Sequence, residues 1–201
     1  MTGASGVIYG IRFTQVLAEL GRKIALVISD AARLVIREEL GISLQSLTDK
    51  KALEALFPSP ALEHITPYSS KDFTAPIASG SYPTEGMVII PCSVGTLGHL
   101  ANGVTQNLIH RAADCTLKEG RRLVVVPRET PLSAIHLENM LKLARLGVRV
   151  LPASPGFYSS AETIQDLVDF IVGKTLDALE IPHAVYPRWT GKTEKPVLGN
   201  L

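Results

Sequence analysis

The sequence predicts a single α/β domain built in three layers (α/β/α), with a mainly parallel β-sheet between two layers of helices. Short apolar runs alternate along the 201 residues with segments of helical periodicity. Such runs are typical of parallel strands that are buried on both faces. The composition agrees with this kind of core, because 46% of the residues are hydrophobic and only 5% are aromatic.

The predicted elements alternate regularly along the chain. Predicted strands occupy residues 23–29, 86–91, 122–126 and 148–151, with a short strand near 64–66. Predicted helices occupy residues 7–20, 30–40, 46–56, 106–119, 134–146 and 162–179, and a shorter helix ends near residue 101. Asp30 and Ser46 are the expected N-caps of the second and third helices. Ile164 is expected on the inward face of the last helix.

Two segments carry no regular pattern. Residues 75–81 are rich in Ser, Gly and Pro, and we expect them to be mobile or to form a binding lid. The segment from residue 181 is rich in Pro and Lys and is expected to be extended, with Tyr186 and Trp189 as its bulky anchors.

Composition and charge exclude several classes of function. The net charge of +1 gives no bulk attraction to nucleic acid or to a membrane surface. No apolar run reaches the ~18 residues of a membrane span, and no signal peptide is visible. Cys92 and Cys115 provide neither a disulfide framework nor a metal site. We therefore expect a reduced, cytoplasmic protein that binds no metal.

The first ten residues contain the most informative turn. Gly3 and Gly6 flank two small residues, Ala4 and Ser5, immediately before the first helical run. Glycine lets a ligand approach the backbone, and the free N–H groups at a helix start attract an anion. The spacing is not that of the dinucleotide motif G-x-G-x-x-G. A simple N-cap with a tight turn is an equal alternative.

A turn of this kind ordinarily follows a buried strand, and no strand residues stand before Met1 in this sequence. We expect either that a first strand is missing from this chain or that the turn works without one.

Polar side chains follow the carboxyl ends of the predicted strands, so they should converge on one crevice. This group comprises Ser29, Ser93, Thr96, Arg128, Glu129 and Tyr158. Hydroxyls, helix N-termini and arginines together indicate a phosphate ligand. Glu39 is either a solvated charge or a carboxylate held at this edge of the sheet.

Three further cations are candidates for the same ligand. Arg111 and Lys118 are seven residues apart on one helix face, and Lys174 lies on the last helix. A solvated cation at the helix end is an equal interpretation of Lys118. His99, His110 and His136 lack the spacing of metal ligands and are expected to be structural.

Five stretches together resemble the UbiX-type flavin prenyltransferases, long described as phenylacrylate or 3-octaprenyl-4-hydroxybenzoate carboxy-lyases. They are TGASG-x-x-YG from Thr2, PCSVGTL from Pro91, NLIHRAAD-x-x-LKE from Asn107, VPRETPLS-x-IHLENM from Val126, and PGFY from Pro155. The resemblance extends from Met1 to about Trp189. The related cysteine-decarboxylase flavoproteins carry an active-site histidine and a P-x-M-N-type segment, and this sequence shows neither.

The resemblance implies a Rossmann- or flavodoxin-like subunit that binds FMN between subunits of a dodecamer. It implies transfer of a dimethylallyl group from dimethylallyl phosphate to N5 and C6 of reduced FMN, without a metal. The product, prenylated FMN, is the cofactor of UbiD-type decarboxylases. We expect a flavin-binding domain over residues 1–185 and an extended tail over 186–201.

Site residues follow from the resemblance by position. The FMN contacts are Gly3, Ala4, Ser5, Ser29, Ser93, Val94, Gly95, Thr96 and Arg128. The prenyl-phosphate contacts, some from neighbouring subunits, are Arg111, Lys118, Glu129, Tyr158, Lys174 and Trp189. The residues implied in catalysis are Ser5, Glu39, Lys118 and Tyr158. Lys174 stands where some relatives have arginine, which keeps the charge but loses the bidentate geometry.

Two other functions remain open at this stage. One is an FMN-dependent decarboxylase that acts directly on an aromatic or phenylacrylic acid. The other is a non-catalytic carrier that delivers FMN to another enzyme.

Overall fold

The computed structural model describes residues 1–157, 161–189 and 191. Its strands are β1 (Ile24–Val27), β2 (Ile65–Tyr68), β3 (Gly86–Cys92), β4 (Arg122–Pro127) and β5 (Arg149–Val150). All pairings are parallel: β1 pairs with β2, and β3, β4 and β5 pair in that order. The predicted parallel sheet is therefore confirmed, but its hydrogen-bonded ladder is divided into two parts between β1 and β3.

The helices form the two outer layers. They are α1 (Val7–Glu19), α2 (Asp30–Leu40), α3 (Lys50–Leu53), α4 (Ser59–Leu62), α5 (Val94–Ala101), α6 (Leu108–Lys118), α7 (Ala134–Arg145) and α8 (Ile164–Ala178). Helix α1 packs against α2 and α8 on one face of the sheet, and α5 packs against α6 and α7 on the other. Within the described residues, no helix is long and apolar enough to cross a membrane.

Buried aliphatic side chains fill the space between the layers. Ile28 and Leu53 are fully buried around β1, Leu108 beneath β3, and Ile171 between α8 and β4. Each such side chain contributes about 1.5–3 kcal/mol relative to an exposed one. This burial holds the strand ends, and hence the crevice, in place.

The first two residues link the two parts of the sheet. The Met1 amino group donates to the Val27 carbonyl (2.8 Å), and the Ser29 N–H donates to the Met1 carbonyl (3.1 Å). On the other side, the Thr2 N–H donates to the Pro91 carbonyl (3.1 Å). The turn at Gly3–Gly6 is thus anchored to both β1 and β3.

Three local predictions are wrong. Ser29, not Asp30, caps α2, because its hydroxyl accepts from the Ala32 N–H (3.1 Å). The helix predicted over 46–56 is only the single turn of α3, because the Ser46 hydroxyl accepts from the N–H groups of Thr48 (3.2 Å) and Asp49 (3.1 Å) and holds a non-helical turn. Ile164 is 76% exposed, since α8 meets the core only through its later turns.

Candidate functional site

The turn at residues 3–6 requires glycine for reasons of packing. A Cβ on Gly3 would lie 2.5 Å from the Cβ of Ala31 on α2. Gly6 has φ of 93°, a left-handed conformation that side chains disfavour. Gly3 therefore lets the turn lie directly on the start of α2, and Gly6 lets the chain enter α1 beside Tyr9. Ser5, between them, is exposed.

Glu39 supplies the anion at the amino end of α1. Its carboxylate oxygens accept from the Gly6 N–H (2.9 and 3.0 Å) and from the Val7 N–H (3.0 Å). A carboxylate is favourable at the positive end of a helix dipole. Glu39 is thus held at the edge of the sheet, and the anion site predicted at α1 contains the protein's own carboxylate.

The amino end of α5 has a different arrangement. The Ser93 hydroxyl accepts from the Thr96 N–H (3.3 Å) and donates to the Thr96 hydroxyl (3.0 Å). The first N–H groups of a helix have no partner within the helix, and here they belong to Val94 and Gly95. Apart from its chain neighbours and the backbone of α5, no described atom lies within 4 Å of the position that a Cβ on Gly95 would take. This helix end is therefore open to an anion.

Thr2 joins the two turns, and sequence reasoning assigned it no role. Its hydroxyl donates to the Pro91 carbonyl (3.0 Å) and accepts from the Ser93 N–H (2.8 Å). The side chain is buried, so these bonds set the position of the Ser93 turn relative to Gly3. The only signal in the sequence was a hydroxyl residue directly before the glycine turn.

Arg128 follows the end of β4 and lies at the same crevice. Its Nε donates to the Ser5 carbonyl (3.3 Å), which uses one of its five N–H groups. Burial raises the pKa of the nearby Tyr9, and the positive charge of Arg128 offsets part of this rise. The next residue, Glu129, accepts from the Thr130 N–H (3.0 Å). Arg128 therefore adds a positive charge beside Ser5.

The predicted cations of α6 bond to other parts of the chain. The Arg111 Nε donates to the Ala78 carbonyl (3.0 Å), and Arg111 also pairs with Asp114 (2.9 Å). Lys118 ends α6 and pairs with Glu119. The six residues of β4 separate the end of α6 from Arg128. Lys118 and Arg128 therefore lie about 20 Å apart along the strand.

The remaining predicted ligands fall into three cases. Lys174 is exposed on α8, in the opposite helix layer from Lys118. Trp189 is exposed beyond Arg188, which pairs with Asp177 near the end of α8. Tyr158 lies outside the described residues. Within one chain, the structure groups most of the predicted FMN contacts with Glu39, and it places Lys118 and Lys174 away from them.

The histidines have structural environments. His99 and His110 stack with ring centroids 4.5 Å apart, and burial lowers the pKa of His110 to about 4. His136 belongs to the capping box of α7 with Ser133. Across residues 1–157, 161–189 and 191, no group of three His, Cys, Asp or Glu side chains is placed to hold a metal ion.

Comparison with known proteins shows which family the chain belongs to. The family model described as Flavoprotein matches residues 1–176. Flavin prenyltransferase UbiX of Halalkalibacterium halodurans is 53% identical over 189 residues, which is 94% of this chain and 90% of that protein. The chain belongs to the UbiX family of flavin prenyltransferases.

Two solved UbiX structures share the fold over nearly their whole length. The crystal structure of AnUbiX (PadA1) in complex with FMN and dimethylallyl pyrophosphate has a TM-score of 0.85 and 38% identity, with 96% of each chain covered. The dodecameric FMN-dependent UbiX-like decarboxylase of Escherichia coli O157:H7 has a TM-score of 0.83 and 41% identity, with 95% and 97% covered.

The crevice fits FMN, the cofactor of these UbiX relatives. The open amino end of α5 suits the FMN phosphate, and Arg128 adds a positive charge beside Ser5 at the same crevice. The Cβ position of Gly95 leaves room for close approach to the backbone. The hydroxyls of Ser5 and Ser29 border the same edge of the sheet and suit the polar parts of the molecule.

Proposed function

We propose that this chain transfers the dimethylallyl group of dimethylallyl phosphate to reduced FMN, with new bonds at flavin N5 and C6 and release of phosphate. The proposal rests on the crevice where the Gly3–Gly6 turn, the Ser93 turn and Arg128 meet, in a chain of the UbiX family. AnUbiX, solved with FMN and dimethylallyl pyrophosphate, supports this class of substrate.

The amino end of α5 and the first turn hold the flavin in this proposal. The N–H groups of Val94 and Gly95 bind the FMN phosphate, because the helix dipole adds to their hydrogen bonds. Arg128 and residues 3–5 line the flavin, and Ser29 lies beside it. Reduced FMN supplies the electron-rich ring that accepts the prenyl carbons.

Glu39 and Ser5 handle the proton that ring closure releases. The Glu39 carboxylate is fixed by two backbone N–H groups, yet its side chain remains exposed at the edge of the crevice. Two protons leave the flavin, one from N5 and one from C6, and the prenyl double bond must gain one for the ring to close. Glu39 therefore positions or relays a proton at its oxygen atoms, while the departing phosphate accepts the other proton. The Ser5 hydroxyl completes the relay.

The prenyl-phosphate end of the site draws on more than one subunit. Ionisation of an allylic phosphate separates charge, and Arg111, Lys118 and Lys174 stabilise the leaving phosphate. Because Lys118 and Arg128 lie at opposite ends of β4 in one chain, Lys118 comes from a neighbouring subunit in this proposal. Glu129, Tyr158 and Trp189 complete the pocket. The dodecameric Escherichia coli relative supports such an assembly.

The product defines the partner. Prenylated FMN is released to a UbiD-type decarboxylase, and both proteins act in the cytoplasm. In this proposal the oligomer is a dodecamer, and the flavin-binding domain and tail divide near residue 185.

The decisive experiment is anaerobic. The protein is mixed with reduced FMN and either dimethylallyl phosphate or the diphosphate, and the released flavin is analysed by mass and absorption spectrum. A flavin heavier by one prenyl unit is the expected result. Unchanged flavin that stays bound supports a carrier. Carbon dioxide release from a phenylacrylic acid by the protein alone supports the decarboxylase activity that the Escherichia coli relative's description names.

Site sharing has its own test. We expect Lys118→Ala to lower the prenylation rate by about 10²–10³-fold with FMN affinity unchanged, whereas Lys51→Ala, at an exposed lysine on α3, changes neither. Co-expression of Lys118→Ala with Arg128→Ala should restore part of the activity, because mixed oligomers contain some sites with both wild-type residues. Full activity of the Lys118→Ala protein, or no rescue in proven mixed oligomers, contradicts this arrangement.

A further inference from the structure

Residues 181–189 form a strap that lies along one face of α8. The Tyr186 ring packs against Phe170, with ring centroids 5.3 Å apart, and against Gly173. A Cβ on Gly173 would overlap the Tyr186 ring and come within 2.9 Å of the His183 ring. Phe170, Gly173 and Asp177 follow one another at spacings of three and four residues, so they share one helix face. The strap lies this close to α8 because position 173 carries no side chain.

Asp177 bonds to three side chains of the strap. Arg188 donates to both of its carboxylate oxygens (2.8 and 2.9 Å), and the Tyr186 hydroxyl donates to one of them (3.0 Å). The Nδ1 of His183 accepts from the Val185 N–H (3.2 Å), so its Nε2 carries the ring proton and donates to Asp177 (3.2 Å). One carboxylate therefore holds the strap near both of its ends.

The charge of Asp177 serves the strap and not the helix. Asp177 lies in the last turn of α8, where the helix dipole disfavours a carboxylate. Burial raises the pKa of Asp177, but the hydrogen bonds from Arg188, Tyr186 and His183 outweigh this effect and hold the pKa below its ordinary value. The carboxylate is therefore ionised at neutral pH and stabilised by the residues that it anchors.

The strap leads into one residue of the proposed prenyl-phosphate pocket and lies next to another. Trp189 follows Arg188 directly, so the ion pair of Arg188 with Asp177 determines where the chain presents the indole ring. Trp189 is 57% exposed, although the residues before it are fixed. Lys174 is exposed beside Gly173, one turn before Asp177. The end of α8 thus carries an exposed cation and, through the strap, an exposed aromatic side chain.

Dimethylallyl phosphate needs both kinds of surface. A cation binds its phosphate, and an apolar surface covers its five-carbon chain. A side chain that is already held in place loses less conformational entropy when it meets a ligand than one on a loose segment. An anchored Trp189 therefore binds the prenyl chain more tightly than a mobile one.

We propose that Asp177 is a positioning residue for the prenyl-phosphate pocket: it fixes the strap on α8, and the strap holds Trp189 in place for the dimethylallyl chain. Asp177 does not touch the substrate and acts through Arg188. Gly173 has the matching role on the helix, because it makes room for Tyr186. This inference rests on the proposed function. It applies equally to a pocket of the same subunit or of a neighbour, since the strap is anchored within one chain.

The first test separates substrate affinity from turnover. Asp177→Ala removes the anchor, and Asp169→Ala is the matched control. Among the described residues, the Asp169 carboxylate bonds to Arg12 (2.8 Å) and Gln165 (3.0 Å), away from the strap. We expect Asp177→Ala to raise KM for dimethylallyl phosphate about tenfold, while kcat and FMN affinity change by less than about twofold. Asp169→Ala should leave all three at their wild-type values.

Two measurements follow the strap itself and need no reaction. The Val185 N–H bonds to His183, whose ring Asp177 fixes, so its hydrogen exchange should be about tenfold faster in Asp177→Ala. Trp189 is the only tryptophan of the chain, so its fluorescence anisotropy reports on the end of the strap and should fall. Asp169→Ala should change neither value.

Gly173→Ala loosens the strap without removing a charge. Alanine favours a helix more than glycine does, so the substitution does not weaken α8 itself. Its methyl group displaces Tyr186, and we expect faster exchange at Val185 and a higher KM for dimethylallyl phosphate, as in Asp177→Ala.

Calorimetric titration of dimethylallyl phosphate into protein loaded with oxidised FMN measures the affinity without turnover. Wild-type protein that binds this compound but forms no prenylated flavin contradicts the proposed function, and the affinities of the variants still test the strap. Wild-type affinity in Asp177→Ala, unchanged exchange at Val185, or an equal loss of affinity in Asp169→Ala overturns the positioning role alone. Wild-type protein that binds no dimethylallyl phosphate overturns both.

Discussion

Thr2→Val is the sharpest test of how the crevice is built. Valine has nearly the shape of threonine but lacks the hydroxyl that donates to Pro91 (3.0 Å) and accepts from the Ser93 N–H (2.8 Å). The Pro91 carbonyl keeps its bond from the Thr2 N–H, so that loss is small. The Ser93 N–H loses its partner at a site where Thr2 is 3% exposed.

The magnitude follows from these bonds. An unsatisfied buried N–H costs about 1–3 kcal/mol, so we expect a loss of about 2 kcal/mol in the free energy of unfolding. In a domain of this size, that corresponds to a fall in Tm of about 4–8 °C. FMN affinity should fall as well, since the Ser93 turn begins α5.

Thermal unfolding followed by circular dichroism measures the stability, and flavin fluorescence titration measures the affinity. Thr175→Val is the matched control, because that buried hydroxyl donates only to the Ile171 carbonyl within α8. It should cost clearly less stability and leave FMN binding unchanged. If Thr2→Val unfolds at the wild-type temperature and binds FMN normally, the hydrogen bonds of the Thr2 hydroxyl contribute nothing measurable to stability or to FMN binding.

Three further predictions concern the crevice and its surroundings. Gly3→Ala should destabilise the fold by about 1–3 kcal/mol, because its Cβ would meet Ala31 at 2.5 Å, and urea unfolding measures this loss. Gly95→Ala should keep the wild-type Tm and weaken FMN binding, which flavin fluorescence titration measures. Because burial lowers the pKa of His110 from 6.5 to about 4, the unfolded chain takes up this proton first, so stability should decline as pH falls from 6.5 to about 4. Tm measured against pH should decline less in His110→Gln, and equal slopes would refute this. Glu39→Ala should lower stability by about 0.5–2 kcal/mol through loss of a helix cap, and it should lower the prenylation rate more than FMN affinity; equal effects on both would leave only the capping role.

Elements that depend on contacts between residues near in sequence were easier to predict than those that depend on distant contacts. The predictions for β3 and β4 agree with the structure to within one residue, because both are apolar runs bounded by glycine, arginine or proline. The helix over 46–56 failed because Ser46 had two uses, as a cap or as a turn, and local pattern does not choose between them.

The sequence by itself determined the order of strands and helices and most of the segments that meet at the crevice, since periodicity and turn chemistry are local properties. Only the tertiary structure decided that Glu39 reaches back 33 residues to the start of α1, that Thr2 holds the Ser93 turn, and that Lys118 lies far from Arg128. These relations depend on how strands and helices pack together. No local pattern encodes a contact between residues so far apart in the chain.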